Sequence, residues 1–432
     1  MISDNLSVGA EGRLSFCGAD VKALAQKYST PLYLMDEDRI RRNCRTYRQG
    51  MKAAFPKGFM VAYASKAASF THIYRIMEQE EMCVDVVSRG EIRTALAAGY
   101  PMERAFFHSN NKTDEDISYA MENGVGYFVV DCREELLAID AEAGRRGICQ
   151  KLLLRLTPGI DPHTFEEVAT GKVDSKFGSA IETGQALEMF QAAREFSHVE
   201  LSGFHCHVGS QVFDSRVFFD SAKIMLEFIG SLHKEYGFVT KMLDLGGGYG
   251  VRYVESDPHI DIADNLRQVG ECVEALCRSL EIPVPVIVME PGRSIVADAG
   301  MTLYTVGSVK RIPGYKNYVS VDGGMSDNPR FALYGSQYTV YAAERPMAER
   351  DFSCTVVGRC CESGDIIQEN VTLPSDIARG ELLAVATTGA YNYSMASNYN
   401  RIPRPPVVML SHGKDHLAVR RETAEDLIAL DV

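Results

Sequence analysis

The chain has 432 residues, enough for two domains with substantial cores, and its 46% hydrophobic and 24% charged residues are those of an ordinary globular protein. A formal net charge of −13 argues against a nucleic-acid partner, which needs clustered Lys and Arg, but leaves room for a small anion in a local basic pocket. The polar, acidic stretch Met1–Gly12, the absence of a bilayer-length apolar run, and eleven scattered cysteines with Cys360 and Cys361 adjacent point to a reduced, cytoplasmic protein without a leader, a membrane span or a disulfide framework.

In chain order, Leu14–Phe16 reads as a strand and Val21–Tyr28 as a short helix, while Pro31–Leu34 is expected to lead into the first large domain. Eight short apolar runs follow: Phe59–Ala64, Met82–Val87, Arg104–Phe107, Tyr127–Val130, Leu152–Leu156, Val199–His205, Met242–Leu245 and Val284–Met289. They are continuously apolar rather than alternating, the pattern of parallel strands buried on both faces. Helical segments lie between them at Ser69–Gln79, Glu91–Ala98, Asp114–Glu122, Glu134–Arg145, Gly184–Phe196 and Phe218–Tyr236. This alternation predicts an α/β fold with a (β/α)8 barrel, a doubly wound open sheet being the alternative.

Beyond about residue 300, strand-like runs are separated by turns: Leu303–Ile312, Tyr318–Asp322, Ser353–Gly358, Leu382–Ala386, Val407–Ser411 and His416–Arg420. A mostly antiparallel β domain is expected there. The predicted division is a barrel over residues 33–299, with residues 1–32 and 300–432 forming the β domain.

In such barrels chemistry sits at the C-terminal ends of the strands. Reactive residues follow most of the eight runs: Lys66; Asp85 and Ser88; His108 and Asn110; Arg155; His205, His207 and Ser210; Gly246, Gly247 and Gly248; Glu290 and Arg293. Taken alone, Lys66 is better explained as a solvated lysine at a strand end. In a low-dielectric barrel mouth it could lose its proton and bond covalently to a carbonyl cofactor. The glycine run could be a simple tight turn, or it could close its backbone N–H groups on a phosphate. Arg293, in Glu290-Pro291-Gly292-Arg293, adds a guanidinium suited to phosphate oxygens. No helix-opening GxGxxG is present, which argues against a dinucleotide.

Glu290 could pair with Arg293, or it could keep a pyridine nitrogen protonated. His205 and His207, two apart on a strand, raise the question of a metal. No further ligand set is evident in the sequence, so no metal is expected. An imidazole stacked on an aromatic cofactor, with Ser210 near a phosphate, is preferred.

The ordered motifs are Tyr-Ala-Ser-Lys at 63–66, Lys-Phe-Gly at 176–178, His-Cys-His-Val-Gly-Ser-Gln at 205–211 and Gly-Gly-Gly at 246–248. Glu-Pro-Gly-Arg at 290–293, Asp-Asn-Pro-Arg at 327–330, Cys-Glu-Ser-Gly-Asp at 361–365 and Gly-Ala-Tyr at 389–391 follow. As a set, from Pro31 to about Asn400, they resemble the fold-type III, alanine-racemase-like decarboxylases, and the diaminopimelate decarboxylase family in particular. The resemblance implies a pyridoxal 5′-phosphate cofactor held covalently by Lys66, with His207 on the ring and Glu290 at its nitrogen. Ser210, Gly248, Gly292, Arg293 and Tyr391 would surround the phosphate or line the site near it. Arg330 and Tyr334 resemble the family's pair for the distal carboxylate of the substrate, and Glu362 the residue for its distal ammonium. Cys361 would supply a proton. Family members are usually homodimers with shared sites, so Cys361 and Glu362 would act in trans.

The residues after Lys66, Ala67-Ala68-Ser69, depart from the Ala-Asn common in relatives. The implied reaction is decarboxylation of meso-2,6-diaminopimelate to L-lysine, the last step of lysine biosynthesis. The rivals are a related decarboxylase for carboxynorspermidine, a D-amino acid or a carrier-bound glutamyl group, an alanine racemase, and a catalytically inert regulatory homologue.

Overall fold

A computed structural model describes residues 1–160 and 174–432. Eight parallel strands close a barrel: Phe59–Ala64, Cys83–Val86, Ala105–Phe107, Tyr127–Val130, Gln150–Thr157, Val199–His205, Met242–Asp244 and Val286–Met289. Each pairs in parallel with its neighbours, and Val286–Met289 returns to Phe59–Ala64 to complete the ring. These are the eight runs expected, with ends moved by a few residues. Ala62, Cys83, Phe106, Val129, Leu153, Met242 and Val288, one from each of seven strands, pack together as one buried cluster. Interior filling by side chains makes the barrel a solid core with chemistry confined to its rim.

The helices between the strands follow their local signals. Thr113 and Asp116 form a reciprocal capping box at the start of Asp114–Glu122. Ser88, a rim candidate in the sequence, caps the helix Arg89–Ala98 by accepting from the amide of Glu91 at 3.2 Å. Two helices, Glu37–Ala54 and Ile262–Ser279, were not expected. Among the described residues no helix is long and apolar enough to cross a membrane.

By contact density the chain divides into two compact units. One comprises residues 43–250 and 259–292; the other comprises residues 1–42, 251–258 and 293–432. The second unit is built on a mixed sheet ordered Ile366–Leu373, Phe352–Val357, Asn317–Val321, Gly300–Arg311, Leu32–Asp36, Val407–Ser411, Lys414–Val419. Its pairings are mostly antiparallel, with parallel contacts at Asn317–Val321 with Phe352–Val357 and at Val407–Ser411 with Leu32–Asp36.

Pro31–Leu34, expected to lead into the barrel, differs in the structure. Leu32–Asp36 is a fully buried central strand of this second sheet, paired with Gly300–Leu303 on one side and Val407–Leu410 on the other. An apolar run buried on both faces looks the same in either sheet, and only its partners decide. Leu14 and Phe16 share one core with Leu34, Leu303, Ala384 and Val408.

Candidate active site

In the barrel unit, Lys66 stands exposed on the single turn Ser65–Ala67 that follows the first strand. Asp85, at the end of the second strand, accepts the amide of Ser65 at 2.9 Å and so fixes that turn. The charge of Lys66 reaches Asp85 and His207.

Glu290 is the centre of a buried network. Its Oε1 lies 2.7 Å from His108 Nε2 and its Oε2 lies 3.2 Å from His205 Nε2. Burial disfavours the Glu290 charge, yet the two imidazoles outweigh it and hold the carboxyl well below the usual range. Burial pushes His205 down to about 4, so its ring is neutral at pH 7. Burial, reinforced by Glu290, pushes the Asp85 carboxyl up to about 6 and Asp244 well above the ordinary carboxylate value. Among these carboxyls, burial and the neighbouring Glu290 favour the proton on Asp244, whereas the two imidazoles favour the charge on Glu290.

His108, His205 and Glu290 also gather three potential metal-ligand atoms within 4.8 Å of one another, a set the sequence did not reveal. The nitrogen–oxygen separations of 2.7 and 3.2 Å are hydrogen-bond lengths. They are shorter than the roughly 3.4 Å between ligands of a tetrahedral ion bound at about 2.1 Å. The arrangement suits an ion pair and a hydrogen bond better than a bound ion.

His205 and His207 do different work despite their spacing. His207 Nδ1 accepts the amide of Gly247 at 3.3 Å, which leaves its proton on Nε2. Burial and the charges of Lys66 and Arg155 hold His207 well below its ordinary value, so it is a neutral ring. Gly246 is fixed by its amide donating to Asp244 Oδ1 at 2.8 Å. A Cβ on Gly247 would stand 2.0 Å from the carbonyl oxygen of Glu290, and Gly248 has φ +118°. The backbone here approaches its neighbours as only glycine allows. Gly247→Ala should therefore destabilise the fold by about 1–3 kcal/mol, read from denaturant unfolding; an unchanged midpoint would show that the loop relaxes freely.

Ser210 lies half-buried in the loop after the sixth strand, and Gly292 packs against Ala64. Arg155 lies 3.9 Å from Asp131 and stacks over the Phe177 ring at 4.3 Å, which gives the Lys-Phe-Gly motif its place beside the fifth strand. Asn110 is exposed.

The β unit carries a second polar cluster. Arg293 donates from Nη1 to the Tyr253 hydroxyl at 2.7 Å and lies over the Tyr391 ring at 4.8 Å. Arg330 donates from Nη1 to the Tyr338 hydroxyl at 2.9 Å. Burial alone would raise the Tyr253 phenol, but Arg293 and Arg330 bring it below its ordinary value. Tyr391 has φ +60°, a left-handed conformation uncommon for a bulky residue, and it turns the chain into the buried Asn392.

The Asp-Asn-Pro-Arg motif is anchored by Asp327, which accepts from the Tyr304 hydroxyl at 2.5 Å and from the amide of Gly324 at 2.9 Å. Tyr334, expected beside Arg330, is half-buried at the end of the same short helix, and the phenol that Arg330 engages is Tyr338. Cys361 and Glu362 are exposed on a turn held by Asp365, which accepts the amides of Cys360 and Met325. Tyr253, Tyr338 and Asp244 carried no signal in the sequence beyond being a tyrosine or an acid near a motif.

The chain matches the family described as pyridoxal-dependent decarboxylase, pyridoxal binding domain, over residues 37–297. It is 44% identical over 421 residues to diaminopimelate decarboxylase of Bacillus subtilis (strain 168), covering 98% of this chain and 95% of that protein. It is 42% identical over 420 residues to the Staphylococcus aureus (strain COL) protein of the same name, covering 97% and 98%. The crystal structure of diaminopimelate decarboxylase from M. jannaschii in complex with L-lysine superposes with a TM-score of 0.91 at 32% identity, over 99% of this chain and 98% of that one.

The barrel residues fit a pyridoxal phosphate. The glycine cradle suits a phosphate, the anionic Glu290 suits a protonated ring nitrogen, and Lys66 carries the kind of amine that would hold the aldehyde. By sequence along its whole length and by its fold, the chain belongs to the diaminopimelate decarboxylase family of pyridoxal-dependent decarboxylases.

Proposed function

We propose that the protein is a pyridoxal 5′-phosphate-dependent decarboxylase that converts meso-2,6-diaminopimelate to L-lysine and carbon dioxide, in the cytoplasm and as a homodimer. The observation that carries the substrate is Arg330. It is 5% exposed, and among the described residues no carboxylate lies within ion-pair distance of it. A buried guanidinium whose hydrogen-bond partner is a phenol retains its charge for an incoming anion. A monocarboxylic diamine offers no second carboxylate for that charge, which disfavours relatives acting on other amino acids.

In this reading Lys66 Nζ would hold the cofactor covalently. When bound, the cofactor takes up the electron pair of the breaking Cα–carboxylate bond. Glu290 keeps the ring nitrogen protonated, because His108 and His205 preserve its negative charge. His207 would face the ring, and Ser210, Gly248 and Gly292 would hold the phosphate. By the family resemblance Arg293 and Tyr391 would also serve the cofactor and the substrate. Arg330, with Tyr334, takes the distal carboxylate and Glu362 the distal ammonium. Cys361 gives the Sγ proton to the substrate carbon left by carbon dioxide. The exposure of Cys361 and Glu362 supports their acting in the site of a second copy of the chain.

The direct test incubates the purified protein with meso-diaminopimelate and measures carbon dioxide and L-lysine; no product would overturn the reading. Glu290→Gln should lower kcat by about 10²–10³-fold, the usual cost of removing one preorganised electrostatic partner. Single-turnover kinetics would measure this, and a change confined to KM would mean that Glu290 acts elsewhere.

A further inference from the structure

Arg293 and Arg330 are both buried in the β unit, at 6% and 5% exposure. Their guanidinium carbons lie 5.8 and 5.1 Å from the centre of one ring, that of Tyr253. Two cations held this close in a desolvated place repel each other. A carboxylate between them would quench the repulsion, but it would also neutralise the pair and leave no charge for a ligand. A phenol does otherwise. Its oxygen accepts a charge-assisted hydrogen bond and its ring face attracts cations, yet the net positive charge remains.

Tyr253 is itself held firmly. Its amide donates to Asp257 Oδ2 at 2.8 Å and its carbonyl accepts from Thr339 Oγ1 at 2.8 Å. Its ring meets that of Tyr338 edge to face, with centres 5.4 Å apart, and Tyr338 is the phenol that takes the other arginine.

We propose that Tyr253 is a positioning residue for substrate specificity. It sets the direction of the Arg293 and Arg330 guanidiniums so that together they receive the substrate's distal carboxylate. The inference deepens the proposed function and rests on the reading of Arg330 as that carboxylate's partner.

Tyr253→Phe removes only the phenol oxygen. KM for meso-diaminopimelate should rise about tenfold or more while kcat holds, because the lost contact acts on ground state and transition state alike. Inhibition by L-lysine, which keeps the distal carboxylate, should weaken in parallel. Inhibition by cadaverine, which has no carboxylate, should not change. An unchanged KM, a loss confined to kcat, or equal weakening of both inhibitors overturns the proposal. Should thermal melting show Tyr253→Phe to be misfolded, fluorotyrosine at position 253 keeps the ring and hydroxyl while weakening the acceptor. The same KM shift, smaller in size, is then required. Wild-type protein that does not turn over meso-diaminopimelate refutes the function itself, whereas active wild type with an indistinguishable Tyr253→Phe refutes only the role of Tyr253.

Discussion

Lys66→Ala is expected to lower turnover by about 10³-fold or more, since it removes both the covalent anchor and an amine placed for proton transfer. The lysine stands on the turn after the first barrel strand, fixed through the Asp85–Ser65 hydrogen bond of 2.9 Å, with its charge felt at His207 and Asp85. Wild-type protein should show the visible absorbance of a lysine-bound cofactor, and borohydride should label Lys66. Label on a different lysine would refute the assignment. Mixing this variant with Cys361→Ala tests sharing between subunits. Random assortment across a two-fold interface gives activity returning to about a quarter of wild type, because half of the dimers then hold one complete site. No recovery, with subunit exchange confirmed, would place both residues within one chain.

Arg330→Ala is expected to reduce kcat/KM for meso-diaminopimelate by about 2–5 kcal/mol, roughly thirty- to several-thousand-fold, with the cofactor absorbance intact. The loss should fall on KM, because the guanidinium engages the part of the substrate remote from the bond that breaks. The residue sits in a rigid frame. Asp327 ties the preceding loop to Tyr304 and Gly324, and Tyr338 receives the guanidinium. Removing Arg330 also removes its buried hydrogen bond to the Tyr338 hydroxyl, so some stability should be lost along with the substrate affinity. Steady-state kinetics alongside denaturant unfolding would separate the two effects. Equal kcat/KM in variant and wild type would remove the argument for a dicarboxylic substrate.

The barrel was legible in the chain because its strands are buried on both faces and leave continuous apolar runs at regular intervals. The rim residues were legible because a strand's end dictates where the next residue lies. Lys66, His207, the Gly246–Gly248 run and Glu290 could all be singled out this way.

The helices Glu37–Ala54 and Ile262–Ser279 were not legible. Each buries only a narrow stripe, Ile40, Cys44, Tyr47 and Met51 in the first and Leu266, Val269, Val273 and Cys277 in the second, within otherwise polar sequence. Leu32–Asp36 read equally well as a strand of either sheet.

The partners of the rim residues were decided by folding alone. His108 and His205 reach Glu290 across 182 and 85 positions of chain, and Tyr253 meets Arg293 across 40. Local sequence carries propensity and periodicity. It carries no record of which distant side chain will share a desolvated place, and it is that sharing that lowers the Glu290 carboxyl, raises that of Asp244 and sets the two arginines beside one phenol.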